Sequence, residues 1–197
     1  MPQDWKDMKG NLLVHCLLST DPKYTTIATT FTASAGLNFT IQKIEVVQNK
    51  SLWQQYAAKK KQLEEQNPQG TTNERFLWFG TSADTVDSVN AHGFNRSYCG
   101  KNAVVFGDGV YFAVNASYAA SDTYSIPDPN GVKRMYYCGV LTGEYAMGKA
   151  GMRVTPPKPS GGKNALFDSV TDNLQNPGMF IIFNDTQAYP LYIVHFR

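Results

Sequence analysis

The pattern of hydrophobic and polar residues over the first seventy positions predicts two strands and two helices. The strands are short apolar or alternating runs, and the helices carry apolar side chains at helical spacing. The longer helix ends at the helix-breaking sequence NPQG (67–70), and Ser51 is positioned to cap its first turn. The predicted strands cover residues 11–19 and 38–47, and the predicted helices cover residues 21–32 and 49–66.

From about residue 73 onward, the pattern predicts shorter strands and helices joined by loops rich in glycine and proline. Short elements that interleave without long βα repeats are typical of an α+β fold with a mostly antiparallel sheet. No linker is evident, so we expect one domain over residues 1–197, with an N-terminal part (1–70) and a second part (71–197). The second part is predicted to contain strands at 76–79, 110–114, 134–141, 180–183 and 191–196 and helices at 82–92 and 116–124.

Composition and charge exclude several classes of protein. Hydrophobic residues make up 42% and charged residues 17%, the ordinary balance of a globular protein, and the net charge of +2 predicts no nucleic-acid partner. No apolar run approaches the roughly 20 residues that span a bilayer, so no membrane partner is expected. The three cysteines, Cys16, Cys99 and Cys138, are odd in number and widely spaced. They predict neither disulfides nor a zinc site, but an intracellular location, cytoplasmic or nuclear.

Short catalytic motifs do not identify an active site in this sequence. His15, His92 and His195 lie in or next to predicted strands and helices, where a single histidine is usually structural. The sequence has no HExxH, CxxC or phosphate-binding Walker loop. Aromatic residues reach 13%, and such side chains fill cores but also line pockets for flat ligands. From the residues alone, the prediction is an α+β protein with an aromatic-rich pocket.

Several longer blocks, in a fixed order, carry a resemblance to a known family. They are NERFLWFGT at 73–81, HGFNRS at 92–97, GDGVYFA at 107–113, LTG at 141–143 and FIIFNDTQAYP at 180–190. Together they resemble the catalytic domain of the poly(ADP-ribose) polymerases, and in particular its macrodomain-bearing, mono-ADP-ribosylating branch. The likeness extends over nearly the whole chain.

The resemblance implies a split, mostly antiparallel sheet with flanking helices and a cleft that binds NAD as substrate, with no metal. Family members break the nicotinamide–ribose bond and transfer ADP-ribose to an acceptor such as a protein side chain. We therefore expect NAD, nicotinamide-like inhibitors and an acceptor protein as partners of a monomer. The nicotinamide ring is flat and cationic, which suits aromatic faces. Its carboxamide needs one donor and one acceptor, which a glycine main chain can supply.

Carried over residue by residue, the resemblance assigns the ligand contacts. Gly80 supplies the main-chain pair for the carboxamide, and Thr81 belongs to the same NAD-binding set. Tyr124 stacks on the nicotinamide, Tyr111 lines the opposite side, and Tyr118 flanks it. Taken singly, each tyrosine could equally be a core residue with a bonded hydroxyl. Their spacing behind the block GDGVYFA favours the pocket.

The chain departs from the family at two positions of the catalytic triad and at one ligand contact. Tyr111 keeps the triad tyrosine, but Phe79 stands at the histidine position and cannot hydrogen-bond the adenosine ribose. Ala119 replaces a serine whose hydroxyl holds the carboxamide in related sequences. Met179 stands where true polymerases have glutamate, so no chain elongation is expected. The loop 98–106 is expected to cover the donor site.

Three functional hypotheses remain open at this point. The first is an NAD-dependent protein mono-ADP-ribosyltransferase that is weakened by Phe79 and Ala119. The second is a catalytically inactive relative, a pseudoenzyme that keeps the fold as a binding or scaffolding module. The third is a different reaction in the same cleft, such as NAD hydrolysis or transfer to a nucleic-acid end.

Overall fold

The computed structural model of the chain describes residues 1–95, 104–162 and 164–197. Within these residues, nine strands form one sheet. The strands are β1 (Leu12–Cys16), β2 (Ile41–Asn49), β3 (Glu74–Thr81), β4 (Val110–Ala113), β5 (Lys133–Leu141), β6 (Tyr145–Met147), β7 (Ser169–Thr171), β8 (Met179–Ile182) and β9 (Ala188–Phe196).

The order of the strands confirms the predicted α+β fold with a mostly antiparallel sheet. Across the sheet the order is β1-β2-β9-β5-β3-β4-β8-β7-β6. Every neighbouring pair is antiparallel except β6 and β7, which are parallel. The sequence did not predict β6 and β7, because three residues are too few for an alternating pattern to be recognised.

The helices begin and end at sequence signals of the expected kind. Asp21 accepts a hydrogen bond from the Lys23 amide at 2.9 Å and so caps the first helix, which starts with a proline. Gly93 ends the third helix with a φ of 72°, a left-handed conformation that favours glycine. The described helices are α1 (Pro22–Ala35), α2 (Lys50–Gln66), α3 (Val86–His92) and α4 (Ala116–Ala119), with 3₁₀ turns at Ala83–Thr85 and Asp185–Gln187. None of these helices is long and apolar enough to cross a membrane.

The predicted helix over residues 116–124 is wrong beyond Ala119, where α4 ends. The buried Ser125 hydroxyl donates to the Ala119 carbonyl at 2.8 Å. The amides of Tyr124 and Ser125 both donate to the Ser121 carbonyl, which folds the chain into tight turns. Residues 119–125 therefore form turns and do not continue along the helix axis.

The sheet separates between β3 and β4, and this separation positions the site. β3 pairs with β5 along its whole length, from Glu74 opposite Leu141 to Thr81 opposite Arg134. On its other edge, β3 pairs with β4 only where Trp78 faces Ala113. Beyond that point residues 79–81 and 110–112 diverge, as the split sheet implied by the resemblance requires.

The side chain of Asn49 joins β2 to α2 and α3. The sequence predicted Ser51, and not Asn49, as the cap of α2. The Asn49 side-chain oxygen accepts from the Leu52 amide at 3.1 Å, so Asn49 is the cap of α2. Its amide nitrogen donates to the Asn90 and Ala91 carbonyls at 2.9 and 3.1 Å. Ser51 instead donates its hydroxyl to Asn49. Sequence reasoning chose the wrong cap because only the fold brings α3 against this asparagine.

We expect Asn49→Ala to lower the free energy of unfolding by about 2–4 kcal/mol, because it removes a cap and leaves buried groups unpaired. Ser51→Ala is the matched control and should cost less than about 1 kcal/mol. Urea unfolding followed by circular dichroism measures both. Equal losses in the two variants would contradict the assignment of Asn49 as the structural cap.

Candidate active site

A cavity of about 250 Å³ lies where β3 and β4 separate. Segments that are distant in sequence meet at its wall: the end of β3, the strand β4, the turns after α4 and the first residue of β8. All eight residues that the resemblance assigned to the site line this cavity, namely Phe79, Gly80, Thr81, Tyr111, Tyr118, Ala119, Tyr124 and Met179. Their grouping is observed in the structure, whereas their individual roles stay predictions.

Gly80 lies where the chain after α4 comes closest to β3. A Cβ atom added at this position would lie 2.6 Å from the Ala119 carbonyl oxygen and 2.8 Å from the Tyr124 Cβ. Such distances are shorter than carbon atoms tolerate, so no side chain fits here without movement of the main chain. The glycine keeps a narrow space beside the β3 main chain.

Ser125 fixes one side of this narrow space. It is fully buried, and its hydroxyl bond holds the same Ala119 carbonyl that faces Gly80. The Ala119 methyl group itself packs in the core with residues such as Trp78 and Ala116. Sequence reasoning missed Ser125, because a serine after a tyrosine carries no signal of its own.

Tyr118 and Tyr124 form a pair of phenols at the cavity wall. Their ring centroids lie 5.1 Å apart with an interplanar angle of 30°, and their hydroxyls are 2.8 Å apart. This hydrogen bond, with burial as a lesser cause, raises the pKa of Tyr118 to about 12. Tyr118 is 47% exposed, so it lies at the mouth of the cavity. Tyr118 therefore presents a neutral phenol at physiological pH.

Tyr111 connects the cavity wall to the loop that precedes β4. Its hydroxyl donates to the Gly107 carbonyl at 2.7 Å and accepts from the Phe106 amide at 3.0 Å. These bonds hold the end of the loop that was expected to cover the donor site. Residues 104–106 line the cavity, and residues 98–103 of that predicted cover lie outside the described residues.

Phe79 packs at the edge of the aromatic core and also lines the cavity. Its ring centroid lies 4.9 Å from that of Phe94 and 5.6 Å from that of Phe112, and both partners are fully buried. These contacts have the tilted and edge-to-face geometries that aromatic rings prefer. Phe79 itself is only partly buried, so it packs against the core while it stays accessible from the cavity.

Met179 is the first residue of β8 and lines the cavity. It pairs with Ala113 of β4, and its side chain packs beside Tyr111 against a small core. Its amide donates to the Asp172 carboxylate at 3.0 Å, and its carbonyl accepts from the Thr171 hydroxyl at 2.8 Å. Sequence reasoning did not single out Asp172 or Thr171.

The histidines do not line the cavity, as their sequence positions predicted. His195 lies 2.6 Å from Glu45 between β9 and β2, and this hydrogen bond is the main reason that the pKa of Glu45 falls to about 2. His15 contacts Gln48 at 2.9 Å, and His92 ends α3. In the three described stretches, no group of three or more histidine, cysteine or acidic residues could hold a metal ion.

A split antiparallel sheet with an aromatic cavity beside a glycine main chain defines the class: an α+β protein with an aromatic-lined pocket. Residues 23–197 match the poly(ADP-ribose) polymerase catalytic domain, and the chain belongs to this family. The match confirms the resemblance that the sequence blocks carried.

Curated relatives agree with this assignment. The chain is 50% identical over 198 residues to the protein mono-ADP-ribosyltransferase PARP14 of Homo sapiens. This alignment covers all of this chain and 11% of that protein. It is 42% identical over 154 residues to the protein mono-ADP-ribosyltransferase PARP10 of Mus musculus, covering 78% of this chain and 16% of that protein. A third relative, the protein mono-ADP-ribosyltransferase PARP12 of Homo sapiens, is 36% identical over 91% of this chain and 25% of its own length. The chain thus spans a quarter or less of each of these relatives.

Proposed function

We propose that the chain is an NAD-dependent protein mono-ADP-ribosyltransferase domain with weakened donor binding. The observation that carries this proposal is the meeting of all eight assigned residues in one cavity beside Gly80. The relatives supply the reaction class, since three of them are protein mono-ADP-ribosyltransferases. The protein acceptor, a monomeric state and an intracellular location belong to the same proposal.

In the proposed reaction, the bond between nicotinamide and the ribose C1′ breaks, and nicotinamide leaves as a neutral molecule with the bonding electron pair. A nucleophilic acceptor side chain then bonds to C1′ and loses its proton to solvent. The transition state has oxocarbenium character, so rigid placement of the ring and ribose accounts for much of the acceleration. We assign this placement to the Gly80 main chain and to the faces of Tyr111 and Tyr124.

Two departures from the family weaken the donor site in this proposal. Phe79 offers no hydrogen bond to the adenosine ribose, and Ala119 offers none to the carboxamide. Each missing bond typically costs about 0.5–1.5 kcal/mol of binding free energy, or a factor of about two to ten in affinity. Met179 has no strong acceptor atom, so we propose transfer of single ADP-ribose units only.

A second candidate function is a pseudoenzyme that binds a ligand or partner without turnover. The packing of Phe79 supports it, because the partly buried ring packs against Phe94 and Phe112 of the core and offers the cavity no hydrogen bond.

The experiment that separates the two candidates uses NAD labelled in its adenine together with a protein extract as acceptor. A transferase releases nicotinamide and places label on protein as single ADP-ribose units, which mass spectrometry identifies. Isothermal titration calorimetry with carba-NAD, an unreactive analogue with a cationic ring, tests binding separately. Binding without labelled protein at high enzyme concentration favours the pseudoenzyme. Absence of both binding and labelling contradicts the proposal.

A further inference from the structure

Asp172 fixes the segment of main chain that carries Met179 to the cavity. It directly follows β7, and its oxygen Oδ1 accepts from the amides of Gly178 at 2.9 Å and Met179 at 3.0 Å. The Thr171 hydroxyl lies 3.2 Å from this oxygen, but it donates to the closer Met179 carbonyl at 2.8 Å. Among the described residues, no group donates to the second oxygen, Oδ2. The carboxylate therefore sets where β8 begins and where its first side chain enters the wall.

The described part of the cavity wall carries no charged side chain. Among the described residues that line it, every side chain is apolar, aromatic or a neutral hydroxyl. Besides the aromatic faces, a cationic nicotinamide ring against such a wall is favoured by negative charges that lie behind the first layer of residues.

Asp172 lies directly behind this wall. Its Oδ1 accepts from the amide of Met179, and Met179 lines the cavity. Asp172 is itself partly buried, so its charge is only partly screened by solvent. The pKa of Tyr118, which is raised mainly by the hydrogen bond with Tyr124 and by burial, is also raised to a smaller extent by the charge of Asp172.

We infer that Asp172 is a positioning residue of the transfer reaction, which holds Met179 in the cavity wall and favours the cationic ring of NAD through its negative charge. This inference rests on the proposed function. It adds a residue that the sequence resemblance did not assign, and it provides a negative charge directly behind a wall whose described side chains carry none.

Two substitutions separate the charge of Asp172 from its hydrogen bonds. Asp172→Asn keeps an oxygen that can accept from Gly178 and Met179 but removes the charge. We expect it to melt close to the wild-type temperature and to bind carba-NAD about fivefold more weakly, with unchanged affinity for the neutral ligand nicotinamide. Asp172→Ala removes the hydrogen bonds as well and should lower the melting temperature and weaken both ligands.

Calorimetry with carba-NAD and with nicotinamide measures the affinities, and release of nicotinamide from NAD gives kcat and KM. The control for net charge is Glu64→Gln on the exposed face of α2, which should change neither affinity. Equal weakening of the cationic and the neutral ligand by Asp172→Asn would show a structural role only and overturn the inference. Unchanged binding of carba-NAD by this variant would overturn it too, while the proposed function stands. If the wild-type chain binds neither ligand, the proposed function fails and the inference fails with it.

Discussion

Replacing Gly80 with alanine is expected to abolish binding of both carba-NAD and nicotinamide. The new Cβ would lie 2.6 Å from the Ala119 carbonyl oxygen and 2.8 Å from the Tyr124 Cβ. The Ala119 carbonyl cannot retreat freely, because the buried Ser125 hydroxyl holds it at 2.8 Å. The methyl group therefore displaces the turns after α4 or occupies the space that we assign to the ligand. Overpacking of this kind costs about 1–3 kcal/mol of stability.

Calorimetry with the two ligands and thermal unfolding measure these effects of Gly80→Ala. Gly10→Ala is the matched control, since a Cβ at that position would have no neighbour within 4 Å. The control should bind and melt as the wild type does. If Gly80→Ala folds and still binds both ligands with wild-type affinity, the ligand does not lie beside Gly80, and the assignment of the cavity is wrong.

The long elements of this fold could be predicted from sequence because each carries its own local signal. The span of α2 shows an amphipathic pattern, and NPQG at 67–70 stops it. β9 begins earlier than the predicted residue 191, because Pro190 is accommodated where the pairing register with β5 shifts. This start of β9 depends on its pairing with β5, which the local sequence around Pro190 does not reveal.

The grouping of the assigned residues in one cavity could be predicted from the sequence, whereas the contacts that hold the cavity wall could not. The roles of these residues toward a ligand stay predictions. Ordered sequence blocks brought Gly80, Tyr111 and Tyr124 to one cavity, although these residues lie on different strands and turns. Ser125 and Asp172 act through contacts that exist only in the folded chain: one bonds the Ala119 carbonyl, and the other bonds the start of β8. No motif marks residues whose partners are main-chain atoms of another segment.

Position 79 shows how a substitution can be recognised in sequence while its consequence depends on packing. The resemblance predicts that Phe79 stands at the histidine position of the family. The structure shows that its ring contacts Phe94 and Phe112, so stability and ligand binding compete at this residue. A polar ring at this position would satisfy a ligand hydroxyl but would lose favourable contacts with its neighbours.

We therefore expect the double substitution Phe79→His with Ala119→Ser to raise the affinity for carba-NAD by about tenfold, because it restores two hydrogen bonds of about 0.5–1.5 kcal/mol each. The same change should lower the free energy of unfolding by about 1–3 kcal/mol, since a histidine packs less well against two phenyl rings. Calorimetry with carba-NAD and urea unfolding measure the two quantities on the same preparations.

Phe79→Leu in the Ala119→Ser background is the matched control for this prediction. It also removes the aromatic contacts but adds no donor, so it should lose stability without the gain in affinity that histidine provides. If the histidine variant loses stability and binds carba-NAD no better than the leucine variant does, residue 79 does not face the adenosine ribose. If histidine restores affinity and also increases the release of nicotinamide, the packed Phe79 ring is the cause of weak donor binding, and the pseudoenzyme hypothesis loses its structural support.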